Sequence, residues 1–312
     1  MKILLIPLGV NRIPNLALLK LARWHRSKGD EVSVDEPAPD KVYVSSPFSI
    51  YNNHIDYSKR FPDAEIEYGG YGLSARMLPD SVEHLMPDYS FIPELAKSVR
   101  NRDVRKEYYS SDYSIGYTSR GCIRHCVKPP CIVPEYEGIF RRHAHVSEFH
   151  CPDHKKIMLM DNNILADKAW FKTNAEYIIE NGLRVIDQSG FDIRLMDRET
   201  AEILSHMKFY KRMIHLALDS IHDLPEFVRN TGTLLEFRKA RNVTVHLYEK
   251  DDMADLTQRF DTVKELGCQP FVMPDVRATD EVRRFARYVN KSVYKVCPWE
   301  DYQKKGWRRR HG

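Results

Sequence analysis

The sequence lacks any apolar run that approaches the roughly eighteen residues needed for a membrane-spanning helix. Its apolar start, residues 2–10, is too short for the core of a signal peptide and continues directly into the polar residues 11–15. Net charge is also low, because +4 over 312 residues is too little to indicate nucleic-acid binding by itself. These absences favour a cytoplasmic protein without a membrane segment.

What is present is ordinary for a globular protein, with 42% hydrophobic and 29% charged residues. A chain of 312 residues exceeds one average domain, so a small domain followed by a larger one is expected. It is also long enough to bury a sizeable core without disulfide bonds.

Cysteine is scarce, but three of the six cysteines lie within ten positions, as Cys122, Cys126 and Cys131. In a reducing compartment, clustered cysteines more often bind metal or do redox chemistry than form disulfides. The segment has no fourth cysteine. Structural zinc takes four closed ligands, whereas an iron–sulfur cluster held by three thiolates leaves one iron open for an outside ligand.

Residues 1–72 alternate short apolar strands with a helix that has Pro14 near its start and Gly29 at its end. This pattern predicts a small doubly wound α/β domain. Residues 73–112 are rich in proline and charge without a clean period, which indicates a connector. The predicted strands are 2–6, 31–34, 41–46 and 65–70.

From residue 113 the chain alternates strands and helices regularly, and a polar residue stands where each strand ends. In a parallel barrel the carboxyl ends of the strands meet at one face, where the site is built. We therefore predict a partial (βα)6 TIM-type barrel over 113–290, followed by a basic tail over 291–312. The strands are 113–118, 156–161, 184–188, 213–219, 243–249 and 271–274, ending at or just before Thr118, Asp161, Gln188, Asp219, Glu249 and Asp275.

Over about residues 112–290 the chain resembles the radical S-adenosylmethionine (radical SAM) enzymes, in "TSRGCIRHC", "CIVPEYEG", "IMLMDNNILAD", "SGFDIRLMD", "IHLALDSI" and "ELGCQPFVMP". The first 110 residues are similar to the B12-binding-like domain that precedes some of these barrels. The resemblance implies that Cys122, Cys126 and Cys131 hold a [4Fe-4S] cluster whose fourth iron is chelated by S-adenosylmethionine. Reduction by a flavodoxin- or ferredoxin-type donor then yields a 5′-deoxyadenosyl radical that abstracts hydrogen from a substrate, which the sequence does not identify.

One spacing departs from the family pattern. Four residues, "VKPP", separate Cys126 from Cys131, where the family normally has two, and Pro130 stiffens the loop. Loops tolerate insertions at low cost, so the three thiolates can still converge. The alternative is a non-catalytic barrel whose cysteines hold zinc or whose role is interaction.

The resemblance also assigns residues to the cofactor. It implies that Asp161, Asn162 and Asn163 contact its amino group, because they follow the second barrel strand. An ordinary Asp-Asn-Asn turn is the alternative. Further cofactor contacts are Ser189, Asp192 and Arg194, and substrate or ribose contacts are Asp219 and Glu249. For these the alternatives are a surface Asp–Arg pair and helix caps.

Three weaker signals remain. The charged segment 141–156 contains a zinc-like spacing but is better explained as a polar loop. The basic tail carries Trp307, so RNA contact is conceivable without other support. Cobalamin is expected to be absent, or at most bound base-off without a histidine ligand, because the chain has no Asp-x-His-x-x-Gly motif and His54 stands in "NNHIDYS". The residues of the zinc-like pattern are His143, His145, His150, Cys151 and His154.

Overall fold

The chain folds into two compact units in the computed structural model. The first comprises Met1–Tyr117 and Ala144–Met158, and the second comprises Thr118–His143 and Leu159–Gly312. Cys122 and every predicted site residue from Asp161 onward fall within the second unit. The structure describes residues 1–8, 13–47, 56–74, 77–109, 112–125, 138–187 and 190–305.

A four-stranded parallel sheet of order β2-β1-β3-β4 forms the amino-terminal part of the first unit. Successive residues of β1, Ile3, Leu4 and Leu5, are all buried. Since neighbouring side chains of a strand point to opposite faces, both faces of this central strand are covered. Asn15 caps the following helix by accepting a hydrogen bond from the Leu18 N–H. The elements are β1 (Lys2–Pro7), α1 (Leu16–Ser27), β2 (Glu31–Ser33), β3 (Lys41–Ser45) and β4 (Glu65–Gly69).

The middle of the chain contains short elements. In the first unit the buried Tyr89 hydroxyl donates to the Phe149 carbonyl (2.6 Å) and accepts from the Ile115 N–H (3.0 Å). This hydroxyl joins the strand β5 to the short helix α5. In chain order the elements are α2 (Asp80–Glu83), α3 (Ile92–Ala96), α4 (Arg102–Tyr108), β5 (Tyr113–Gly116), β6 (Ser119–Gly121), β7 (Phe140–Arg142), α5 (Val146–Phe149) and β8 (Lys156–Leu159).

The rest of the second unit alternates strands with longer helices, several of which are capped by an aspartate or threonine side chain. β11, β12 and β13 form a parallel sheet, and β9 pairs in parallel with β10. The elements are α6 (Lys168–Glu180), β9 (Arg184–Asp187), α7 (Arg198–His206), β10 (Lys208–Phe209), β11 (Ile214–Ala217), α8 (Leu224–Leu235), β12 (Val243–Glu249), α9 (Met253–Glu265), β13 (Gln269–Pro274), α10 (Asp280–Asn290) and α11 (Trp299–Lys305).

β12 shows how the two faces of this sheet differ. Val243, Val245 and Leu247 are buried, whereas the alternate residues His246 and Tyr248 are partly exposed. The helix α9 contacts both β12 and β13, and α10 contacts β13. One face of the sheet is therefore core, and the other presents polar and aromatic side chains.

The predicted strands are all present and the mixed α/β class with parallel sheets is confirmed. The short helices α2, α3 and α4 within 73–112 were not predicted, because they are too short to show a helical period. The division into 1–72, 73–112, 113–290 and 291–312, with a partial barrel in the third part, stays a prediction. Within the described residues, every helix is too short or too polar to cross a membrane.

Candidate site around the cysteine loop

The cysteine segment, residues 122–139 (the cysteine loop), is described at its two ends, which lie side by side. Its flanking strands β6 and β7 pair antiparallel, with Ser119 opposite Arg142 and Gly121 opposite Phe140. At the base, the Gly138 N–H donates to the Arg124 carbonyl at 3.3 Å. Gly138 has a φ of +74°, and a Cβ there would lie 2.3 Å from the His125 ring. Only glycine fits this closure without strain.

The triplet Asp161, Asn162 and Asn163 lies against this loop one residue after another. Asp161 accepts hydrogen bonds from Thr118 and Ser119, and the Asn162 Oδ1 accepts one from the Gly121 N–H at 3.2 Å. The Asn163 Nδ2 donates to the Cys122 Sγ at 3.4 Å. Three consecutive side chains after β8 thus form hydrogen bonds along residues 118–122, which end at the first cysteine.

Asp161 is a buried carboxylate whose hydrogen bonds come from neighbouring groups of the protein. Its Oδ1 accepts from the Thr118 hydroxyl (2.7 Å), the Ser119 N–H (2.5 Å) and the Ser119 hydroxyl (2.6 Å). Its Oδ2 accepts from the Thr118 N–H at 3.1 Å. Burial raises the pKa of Asp161, and these hydrogen bonds oppose that rise. The geometry makes Asp161 the anchor of the turn that leads into the cysteine loop.

Asn163 differs from its neighbours because its amide is only half satisfied. The side chain is 3% exposed, and its Nδ2 donates to the Asp192 Oδ2 at 3.0 Å as well as to Cys122. Its Oδ1 is buried and has no hydrogen-bond partner among the described residues. An unsatisfied buried acceptor next to a thiol calls for an explanation, and an absent ligand is one. The Cys122 thiol can bind a metal as its thiolate. The Asn163 Oδ1 can accept a hydrogen bond from an N–H group of a ligand on that metal.

Asp192 is the charged centre of the site. Its carboxylate accepts from the Arg124 Nε (3.2 Å), from the Arg194 Nε (2.7 Å) and from Asn163. Burial alone raises the pKa of Asp192, but the hydrogen bond and charge of Arg194, with the charge of Arg124, outweigh it and hold that pKa below its usual value. Arg194 also contacts the Asp223 carboxylate at 3.2 Å. The Asp–Arg pair of the alternative interpretation is therefore present, but it is partly buried rather than at the surface.

Three predicted site residues, Cys126, Cys131 and Ser189, lie outside the described residues. The structure therefore brings together Cys122, Asn163 and Asp192, with Asp161 and Asn162 directly behind the loop and Arg194 beside Asp192. These predicted roles toward a cofactor remain predictions.

Asp219, just after β11, is partly exposed and has a perturbed carboxyl. Burial raises its pKa to about 6, against the lowering effects of a hydrogen bond from the Tyr248 backbone and the charges of Arg259 and Arg194. A carboxyl with such a pKa exchanges protons near neutral pH, which is typical of functional sites.

Glu249, at the end of β12, has a different environment. Its Oε2 accepts from the Arg259 Nη2 at 2.7 Å, and its Oε1 accepts from the backbone N–H groups of Lys250, Asp251 and Asp252. Arg259 is 0% exposed and also pairs with Asp255. Both oxygens of Glu249 thus hold the turn before α9. This role resembles the helix cap that was the alternative to a substrate contact.

Arg124 and Arg259 are structurally important residues that the sequence reasoning missed. Arg259 stands among the buried Leu256, Phe260 and Val263 of α9, so a charge within an apolar helical stripe was the available signal. Arg124 had no such signal, because its partner Asp192 is 68 residues away.

Three histidines of segment 141–156 make contacts within the protein. His145 forms a capping box with Glu148 at the start of α5. The His150 Nε2 lies 3.2 Å from the His154 carbonyl, and the His154 Nδ1 lies 3.0 Å from the Ser114 hydroxyl. Across the described ranges, no group of three or more His, Cys, Asp or Glu side chains is arranged to hold a metal.

Comparison with known proteins gave matches in structure alone. No protein-family model and no curated protein matches the chain in sequence. The fold is similar to that of TsrM, a radical S-adenosylmethionine methyltransferase from Kitasatospora setae whose structure holds cobalamin and a [4Fe-4S] cluster. The TM-score is 0.58 at 12% identity, covering 88% of this chain and 74% of that one. The HpcH/HpaI aldolase from Desulfitobacterium hafniense DCB-2 matches with a TM-score of 0.22, too low to indicate a shared fold.

This comparison bears on two predictions. The chain has a fold like that of a radical SAM enzyme, at the coarse level of architecture. The expectation that cobalamin is absent receives no support, because the similar structure contains cobalamin. His54, on which part of that expectation depended, lies outside the described residues.

Proposed function

We propose that this protein is a radical SAM enzyme that binds a [4Fe-4S] cluster through Cys122, Cys126 and Cys131. The observation that carries the proposal is the Asn163 amide, whose Nδ2 donates to the Cys122 Sγ while its buried Oδ1 has no partner among the described residues. The fold similarity to a radical SAM methyltransferase supports the same assignment. When bound, the cluster and S-adenosylmethionine supply a 5′-deoxyadenosyl radical for hydrogen abstraction.

The residues of this chain have separate tasks in the proposal. Asp161 and Asn162 hold the backbone before Cys122, so that the first thiolate is placed before any metal arrives. The Asn163 Oδ1 accepts a hydrogen bond from the amino group of S-adenosylmethionine. Asp192, already balanced by Arg124 and Arg194, contributes a carboxylate oxygen to the ribose hydroxyls or holds Arg194 toward the cofactor carboxylate.

Asp219 is the candidate for proton exchange with the substrate. Its pKa of about 6 allows the carboxyl to be present in both protonation states near neutral pH. The side chain is partly exposed, as a group that meets a substrate must be. Glu249 takes no substrate role in this proposal, since both of its oxygens are engaged by Arg259 and the turn before α9.

Anaerobic reconstitution with iron and sulfide tests the proposal. We expect a brown protein with about four irons per chain and formation of 5′-deoxyadenosine under reductant. Cys122→Ser, Cys126→Ser and Cys131→Ser should each lower the iron content strongly. Cys268→Ser is the matched control, because Cys268 is a buried cysteine near the start of β13 and should keep the iron content of the wild type.

Two results would overturn the proposal. A colourless protein that holds zinc through the same three cysteines would favour the non-catalytic alternative. Cleavage of S-adenosylmethionine that appears only after two residues of "VKPP" are removed would show that the natural spacing prevents assembly.

The proposal extends to ligands and partners. An external one-electron donor of the flavodoxin or ferredoxin type is required, and the cytoplasm is the proposed location because it supplies one. Cobalamin is a ligand to be tested, by retention of added hydroxocobalamin on gel filtration. The substrate is either a small molecule or a macromolecule, and RNA is the macromolecule to be tested.

A further inference from the structure

The Cys122 sulfur accepts hydrogen bonds from two nitrogen donors. The backbone N–H of Arg124 and the side-chain Nδ2 of Asn163 each lie 3.4 Å from the Sγ and donate to it. Cys122 is 4% exposed, so water does not compete effectively for the same sulfur. Hydrogen bonds to cysteine sulfurs are one of the factors that set the reduction potential of an iron–sulfur cluster.

The orientation of the Asn163 amide is determined by its second contact. The Nδ2 donates to the Asp192 Oδ2 at 3.0 Å. A flipped amide would bring its Oδ1 against that carboxylate oxygen, and two acceptors in contact repel each other. Asp192 therefore keeps the N–H side of Asn163 turned toward Cys122, at the cost of leaving the Oδ1 without a partner in the described part of the chain.

We propose that Asn163 is a positioning residue that raises the reduction potential of the cluster through its hydrogen bond to the Cys122 sulfur. This inference rests on the cluster proposed above. One-electron reduction adds negative charge to the cluster and its thiolates, and an N–H dipole directed at a sulfur stabilises that added charge. Loss of the donor therefore makes reduction harder.

The two donors to Cys122 differ in what a substitution can change. The Arg124 N–H is a backbone group that every non-proline residue provides at this position. The Asn163 donor is a side-chain group, held by Asp192 from 29 residues along the chain. Of the two donors to the Cys122 sulfur, Asn163 is therefore the one that a substitution can remove.

The test compares Asn163→Leu with the wild type after anaerobic reconstitution. Leucine keeps the number and branching of the side-chain heavy atoms of asparagine and removes both the amide oxygen and the amide nitrogen. With dithionite as the one-electron reductant, the reduced cluster is quantified by electron paramagnetic resonance as the solution potential is varied. We expect the ratio of reduced to oxidised cluster at a fixed potential to fall about tenfold in the variant, which corresponds to about 59 mV for one electron.

Asn174→Leu is the matched control, because Asn174 is also a buried asparagine of the second unit. Its Nδ2 donates to the Trp170 carbonyl within α6 at 2.9 Å rather than to a cysteine. Its potential should equal that of the wild type. An equal shift in both variants would show that loss of any buried amide is enough, and would overturn the inference.

The outcomes separate this inference from the proposed function. A wild-type protein that assembles no cluster overturns both. A cluster whose potential is unchanged in Asn163→Leu overturns the inference alone. If that variant does not assemble, wild-type protein labelled with 15N-asparagine is measured by pulsed electron paramagnetic resonance. A 15N coupling to the reduced cluster supports the inference, and its absence overturns it.

Discussion

Two buried polar groups of the second unit differ in how completely their hydrogen-bonding atoms are paired. The cysteine end comprises Cys122, Asn163 and Asp192, and the arginine end comprises Arg259, Glu249 and Asp255. In the arginine end, the Arg259 guanidinium donates to the carboxylates of Glu249 and Asp255 and to the backbone carbonyls of Leu218 and Tyr248. In the cysteine end one buried acceptor has no partner among the described residues.

This difference indicates what each group does. A closed ionic group in the interior stabilises one backbone arrangement and leaves nothing to bind a ligand. A group with an unsatisfied acceptor and a thiol is incomplete until a ligand is present. Substitutions should therefore mainly change stability at the arginine end and mainly change metal binding at the cysteine end.

The largest effect on stability is expected for Arg259→Met. Removal of the guanidinium leaves Glu249 buried without a counter-charge, which costs about 3–5 kcal/mol of unfolding free energy. Urea denaturation of the apo-protein measures the loss. The double variant Arg259→Met, Glu249→Gln should recover part of it, and a loss below about 1 kcal/mol in the single variant would contradict the closed-group interpretation.

A smaller effect with a defined pH dependence is expected for Asp219→Asn. The folded-state pKa of about 6 lies above the ordinary 3.8, so the carboxyl favours folding while protonated and this stability is lost as the pH rises through 6. The substitution should therefore stabilise the protein by about 3 kcal/mol at pH 8 and have little effect at pH 4. Asp63→Asn, at an exposed position, is the control, and equal effects at both pH values would contradict the prediction.

Asp161→Asn should lower stability by about 1–3 kcal/mol. The amide places N–H donors where Asp161 now accepts from Thr118 and Ser119, so at least one buried donor loses its acceptor. Iron content should fall as well, because the turn before Cys122 is no longer held. Denaturation and iron assays on one preparation check both results. An unchanged iron content would show that Asp161 is not needed for metal binding by the cysteine loop.

The smallest stability effect is expected for Asn163→Leu, within about 1 kcal/mol of the wild type in the apo-protein. Removal of the unsatisfied Oδ1 offsets the loss of the weak bond to sulfur, and Asp192 keeps Arg124 and Arg194 as partners. Denaturation of the apo-protein measures it. A loss comparable to that of Arg259→Met would show that the two ends are alike after all.

Much of the local structure was predictable. The apolar strands, the capping Asp197 of α7 and the glycine after α9 follow from periodicity and from backbone hydrogen-bonding needs, which act between residues a few positions apart. The candidate status of Asp161, Asn163 and Asp192 came from a family resemblance. Periodicity contains no information on which carboxylate forms an ion pair with an arginine and which remains available to bind a ligand.

The sequence by itself determined the longer strands, the longer helices and the clustering of thiols, because each depends on neighbouring residues. Only the tertiary structure decided that Asn163 donates to Cys122 and Asp192 together, across 41 and 29 residues of chain. It likewise decided that Glu249 is paired with Arg259 while Asp219 is left with a raised pKa. The physical reason is that burial and hydrogen-bond completion are properties of the packed interior, where groups distant in the chain exclude water from each other.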